Sequence, residues 1–215
     1  MSFILYGDRG SGAFSVEAAL AEAGAAYEFR TISLKHNEQR APEFLAINPS
    51  GKMPALMLPE GGIVTESLAI LVMIAERFPD AGLLPPSMSF ARAQGLRWLA
   101  FMATELYPMV EIVDYPERFA PKGAESDALR ERAREKLRER ILIVERAVAG
   151  PWLLAEGFSV ADIYAAMFSR WDIGPEFRGA NLPKLVAVAH GVAERPRIAS
   201  IWQRHFPPGS SASAT

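Results

Sequence analysis

Every strand-like segment of this chain lies before Pro79, and every regular segment after Pro86 reads as helix. Between them runs Pro79-Asp80-Ala81-Gly82-Leu83-Leu84-Pro85-Pro86. Each proline removes a backbone donor and sets its ring against the preceding turn, so no helix continues through this stretch. A domain boundary is therefore expected here, with residues 1–79 forming an α/β domain, 80–86 a linker and 87–207 an all-helical domain. The small, polar residues 208–215 are expected to be a disordered tail.

The period of the apolar residues orders the first domain. Ser2 to Tyr6 reads as a short strand, and Gly7-Asp8-Arg9-Gly10-Ser11-Gly12 as a loop of residues that tolerate unusual backbone angles. Val16, Leu20 and Ala23 then recur at helical spacing, and Gly24 stands where a helix would stop. Tyr27 to Ile32 alternates large apolar with polar residues, as a half-buried strand does. Strand, helix and strand in this order make a βαβ unit with parallel strands and a right-handed crossover. A short helix over 42–47, a turn at Asn48-Pro49-Ser50-Gly51, a hairpin over 55–58 and 62–64, and a helix over 66–78 complete the order βαβαββα. Beyond Pro86, helices are expected over 87–113 with a break at Pro108, then over 126–149, 159–171, 183–194 and 196–206.

A length of 215 residues suffices for two modest cores. The net charge of −2 gives no electrostatic footprint for nucleic acid or an anionic membrane, which excludes both as expected partners. No apolar run nears the roughly 18 residues that span a bilayer. The chain enters a strand directly from Met1 without a leader pattern, so a cytoplasmic protein is expected. With 0 cysteines there is no disulfide, no thiolate metal ligand and no thiol nucleophile supplied by the protein. His36, His190 and His205 share no helical spacing, so no metal site is expected.

Two local constellations carry chemistry. Ser50-Gly51-Lys52-Met53-Pro54-Ala55-Leu56 and the later Glu66-Ser67 read as two halves of a peptide-binding site, a loop feeding a strand and then an acid and a hydroxyl opening a helix. An extended peptide needs backbone partners along its middle and charged partners at its ends. The same residues also read as ordinary turns, with Thr65, Glu66 and Ser67 merely capping their helix. In Ser159-Val160-Ala161-Asp162, the hydroxyl can cap a backbone N–H while the acid reaches back to the cap residue's own N–H, with Phe158 and Ile163 as an apolar staple. That box is structural. The charges of both signs over 130–140 read as a solvated helix face with pairs such as Glu131 and Arg134.

Taken together, the βαβαββα order, Asn48-Pro49-Ser50-Gly51-Lys52-Met53-Pro54-Ala55-Leu56, Thr65-Glu66-Ser67 and Phe158-Ser159-Val160-Ala161-Asp162 resemble the cytosolic glutathione S-transferase family, in a bacterial-type class without cysteine. The resemblance covers nearly the whole chain and implies a thioredoxin-like α/β N-terminal domain followed by an all-α domain. It implies a cis bond at Pro54, which the residues alone would give as trans. The backbone of Met53 would pair with the cysteinyl part of glutathione, Ser67 at a helix N-terminus would receive the γ-glutamyl carboxylate, and Glu66 its ammonium. Lys52, Lys35 and His36 are the candidate cations for the glycyl carboxylate, with Gln39 as a further hydrogen-bond partner. A hydroxyl would stabilise the glutathione thiolate: Ser11 is favoured, with Tyr6 the alternative. A small hydrophobic electrophile would meet Tyr107, Met109 and Tyr115, with Val113 and Phe119 nearby, in a cleft lined by the first half of the helical domain. The family implies a homodimer and detoxifying conjugation, with glutathione as co-substrate and no metal. Isomerisation, ether cleavage or dehalogenation with glutathione stays open. A scaffold without turnover would need neither the acid at 66 nor the hydroxyl at 67.

Overall fold

The computed structural model describes residues 2–171 and 173–207. The tail expected over 208–215 lies outside them. The chain divides into two compact units, the first made of residues up to 84 with 192–207 and the second of 85–191.

The first unit holds β1 (Phe3–Gly7), α1 (Ala13–Glu22), β2 (Tyr27–Thr31), α2 (Pro42–Leu45), β3 (Ala55–Met57), β4 (Ile63–Thr65) and α3 (Ser67–Arg77). The sheet order is β2-β1-β3-β4, with β1 parallel to β2 and antiparallel to β3, and β3 antiparallel to β4. Successive side chains of a strand point to opposite faces. Gly7 faces α1 so closely that an added Cβ would stand 2.2 Å from the Cβ of Ala13, so no side chain fits there. Tyr6 points to the opposite face, where it packs with Phe44 of α2, Ala55 and the half-buried Met53. α1 is buried from Ala13 to Leu20 and ends at Gly24, whose φ of +68° suits glycine. The N–H groups of Gly24 and Ala25 donate to Ala21 and Leu20 at 3.0 Å each, closing the last turn in a Schellman pattern.

In the second unit, α4 (Phe90–Phe101) is capped by Ser89, whose Oγ accepts from the Arg92 N–H at 3.0 Å. The expected break near Pro108 takes the form of a π-helical turn over Met102–Leu106 that leads into α5 (Tyr107–Asp114). Proline has no N–H to return to the preceding turn, and the widened turn accommodates that loss. Next come α6 (Ala124–Ala147), α7 (Val160–Phe168) and α8 (Pro175–Asn181), the last not anticipated from sequence. α9 (Pro183–Glu194) then leads to α10 (Ala199–His205).

α7 is buried along its whole length and carries the capping box in full. Asp162 Oδ2 accepts the Ser159 N–H at 2.8 Å, and Ser159 Oγ accepts the Ala161 N–H at 3.2 Å. Asp162 Oδ1 also accepts the Leu153 N–H at 2.6 Å, tying the preceding loop to the helix start.

The expected assignment of 87–207 to one helical domain differs from the observed division, because 192–207 packs with the N-terminal unit. Arg195 and Arg197 reach Glu22, Arg204 and His205 reach Glu17, and the Trp202 and Phe206 rings stand edge-on or tilted against Phe14 and each other. Among the described residues no helix is long and apolar enough to cross a membrane, and no cluster of acids and histidines is placed to hold a metal ion.

Candidate functional site

The strand register gathers the candidate residues. Tyr6 pairs with Ala55, Ala55 with Thr65 and Gly7 with Thr31. Given the strand directions, the loop after β1, the segment after β2, the entry to β3 at Pro54 and the exit from β4 at Glu66 all lie at one end of the sheet. Ser11, Met53, Pro54, Glu66 and Ser67 therefore sit on neighbouring loops, although 56 positions separate the first from the last (67 − 11).

Each loop is held by its own polar side chains. Asp8 Oδ1 accepts the Arg9 N–H and Oδ2 the Leu34 N–H, both at 2.8 Å, which fastens the first loop to the segment carrying Lys35 and His36. Ser11 Oγ donates to the Asp8 carbonyl at 2.7 Å and accepts from the N–H groups of Asp8 and Ala13 at 3.3 and 3.2 Å. In the second loop, Asn48 Nδ2 donates to the Lys52 carbonyl at 2.6 Å while Oδ1 accepts the Ser50 N–H at 3.1 Å, an Asx-type turn. Gly51 has φ +61°, and an added Cβ would lie 2.9 Å from both the Gln39 carbonyl and the Arg40 guanidinium, so glycine is required twice over. The Met53–Pro54 bond is cis. β3 begins only at Ala55, so the main chain of Met53 precedes the ladder.

Glu66 is the N-cap residue of α3, yet its side chain makes no capping hydrogen bond. Its backbone has φ 66° and ψ 109°, a conformation that costs a non-glycine residue on the order of 1–3 kcal/mol. This conformation stands at an exposed acid, immediately before the buried Ser67 that opens α3.

The weaker candidates are more dispersed. Lys35, His36 and Lys52 are exposed, and His36 Nδ1 lies 3.1 Å from Ser33 Oγ. Gln39 is buried beside Gly51, and its Oε1 has no hydrogen-bond partner among the described residues. Tyr6 is buried, and among the described residues its hydroxyl receives only a long contact, 3.4 Å, from Arg30. Tyr107, Met109 and Tyr115 belong to the second unit. The Tyr107 ring stands among Tyr164, Phe168 and Trp171, Met109 is half-buried on α5, and the Arg118 guanidinium lies 3.7 Å from the Tyr115 ring centre.

Sequence reasoning passed over Asp8, Asn48, Glu17 and His205. Asn48 stood in an already recognised turn and could have been found there. His205 shares no helical spacing with the other histidines, and nothing local marks its partners.

The family description "Glutathione S-transferase, N-terminal domain" matches residues 1–76. Glutathione S-transferase F10 of Arabidopsis thaliana is 31% identical over 192 residues, covering 86% of this chain and 83% of that protein. A maleylacetoacetate isomerase of Rhizobium meliloti (strain 1021) is 30% identical over 191 residues, covering 84% and 85%. Among solved structures, a glutathione transferase homolog from Sulfitobacter with bound glutathione superposes with a TM-score of 0.85 at 28% identity, over 93% of this chain and 96% of that one.

Proposed function

The chain belongs to the glutathione S-transferase family, and on that premise we propose that it binds glutathione at this end of the sheet and conjugates it, through its sulfur, to a small hydrophobic electrophile. The observation that carries the reading is the register that lines up Ser11, Met53 and Glu66-Ser67 on adjacent loops. In this reading the tripeptide lies extended beside Met53, using the N–H and C=O that precede the β3 ladder. Its α-carboxylate meets Ser67 and the first-turn amides of α3, where the helix dipole favours an anion, and its ammonium meets Glu66. Lys52, Lys35, His36 and Gln39 surround the path of the glycyl end. Tyr107, Met109 and Tyr115 take the electrophile.

The thiol faces Ser11 at the N-terminus of α1. Two backbone N–H groups already donate to Ser11 Oγ, which polarises its O–H, and the single proton turns from the Asp8 carbonyl to the sulfur. The sulfur gives up its own proton to solvent, attacks the electrophilic carbon and forms the C–S bond as the leaving group departs with its electron pair. Tyr6 suits this role less well, because it points to the sheet face away from α1.

With an activated aryl halide as electrophile, Ser11→Ala should lower kcat on the order of 10²-fold and remove the ultraviolet thiolate absorbance of bound glutathione, as loss of a preorganised donor does. Tyr6→Phe should leave that absorbance in place. If neither change alters the signal, the thiolate is held by something else.

The isomerase relative favours a second reading, in which the thiolate adds to an unsaturated acid and is expelled again. The two are separated by glutathione balance: conjugation consumes glutathione with each turnover, whereas isomerisation leaves its concentration unchanged.

A further inference from the structure

His205 lies at the far end of the chain and is 4% exposed. Its Nδ1 is 3.1 Å from the Gly10 nitrogen, and its Nε2 is 2.8 Å from Glu17 Oε2. An amide N–H can only donate, so Nδ1 is the acceptor and the ring proton sits on Nε2, donated to Glu17. Glu17 is itself 1% exposed and also receives the Tyr27 hydroxyl at 2.9 Å and the Arg204 guanidinium. Burial pushes the Glu17 carboxyl up, but the hydrogen bonds of His205 and Tyr27 and the charge of Arg204 outweigh it and hold the group below its ordinary range. The result is a directed chain of hydrogen bonds from the Gly10 amide, through the imidazole, to a fixed carboxylate on α1.

Packing alone does not require this arrangement. The His205 ring already has edge or tilted contacts with Phe14, Phe29 and Phe206, and a phenylalanine would keep them. What only an acceptor at Nδ1 adds is a hold on Gly10, a residue at φ +72° immediately before Ser11. We propose that His205 is a positioning residue for the thiolate: through the Gly10 amide it fixes the loop so that the Ser11 hydroxyl faces the sulfur of bound glutathione. The proposal rests on the glutathione reading given above, and it makes α10 part of the reactive site.

Two variants isolate the acceptor. His205→Phe and His205→Asn both remove the proton given to Glu17, but the asparagine oxygen occupies the place of Nδ1, whereas phenylalanine preserves the ring packing. Thermal stability should therefore rank Phe above Asn, while thiolate stabilisation should rank Asn above Phe. His205→Phe should raise the pKa of bound glutathione by about one unit and lower kcat about tenfold, with KM for glutathione within about twofold of the parent. His205→Asn should recover most of the absorbance. In the unaltered protein the Gly10 amide should also exchange slowly with deuterated water, a readout that does not depend on either variant folding. Fast exchange at Gly10, a parental thiolate signal in His205→Phe, or equal loss in both variants would overturn the positioning role. A parent chain that does not bind glutathione in calorimetry would instead overturn the reading beneath it, and this proposal with it.

Discussion

Ser67→Ala should weaken glutathione binding roughly tenfold to a hundredfold, because a hydrogen bond to a charged group is worth about 1.5–3 kcal/mol and each 1.4 kcal/mol is a factor of ten. The proposed ligand group is a carboxylate at the start of α3, and the first-turn amides that remain after the substitution do not replace the hydrogen bond of the lost hydroxyl. Glu66 permits a sharper experiment. Its backbone at φ 66° and ψ 109° costs glycine less than a residue with a Cβ, so Glu66→Gly relieves part of the strain and removes the acid together. The fold should gain on the order of 1 kcal/mol, raising Tm by a few degrees, while affinity for glutathione falls about tenfold or more. A variant that is both more stable and less able to bind is the mark of strain kept for function. Isothermal titration alongside a thermal melt reads both quantities, and unchanged affinity in Ser67→Ala and Glu66→Gly would remove the proposed anchor.

The largest effect on stability is expected at Asp162. Its carboxylate is fully buried and accepts the N–H groups of Leu153 and Ser159 together with the Ser159 hydroxyl. Alanine would leave two buried amides without partners, at about 1–3 kcal/mol each, and would open a small void. At pH 5 the Asp162→Ala variant should therefore melt on the order of 10 °C below the parent. Burial raises the Asp162 carboxyl to about 6 from its ordinary 3.8, against the pull of the donors around it. The folded state thus holds this proton more tightly than the unfolded one does. The stability it contributes is fully present below pH 3.8 and is lost as pH rises through about 6. The gap between parent and variant should narrow across that window, and thermal melts of both from pH 4 to pH 7.5 would show it. A gap that widened with pH would mean the donors, not burial, set the charge of this group.

What was legible in the sequence follows the range of the interactions. The capping box joins Ser159 and Asp162, three positions apart, and is seen as read, but the Leu153 amide on the same carboxylate comes from a loop with no pattern of its own. Asn48-Pro49-Ser50-Gly51 was legible as a turn because an Asx side chain closes it locally. The cis bond at Pro54 was expected only from family resemblance, since the residue types favour trans. Pro108 announced an interruption but not its form, because whether a helix breaks or widens depends on the helices packed against it. α8 is short, opens on Pro175 and contains Gly179, so it offers little period to read. The contact of His205 with Gly10 joins residues 195 positions apart. No local rule reports such a pair, and for the same reason the assignment of 192–207 to the helical domain differed from what the fold shows.

A crystal structure of this chain grown with glutathione tests the central claim most directly. It should show the tripeptide extended beside Met53 with paired main-chain hydrogen bonds, its amino-acid head between Glu66 and Ser67, and its sulfur within hydrogen-bonding distance of Ser11. Glutathione absent from that edge of the sheet at saturating concentration, or bound elsewhere with its head group away from α3, would contradict the account.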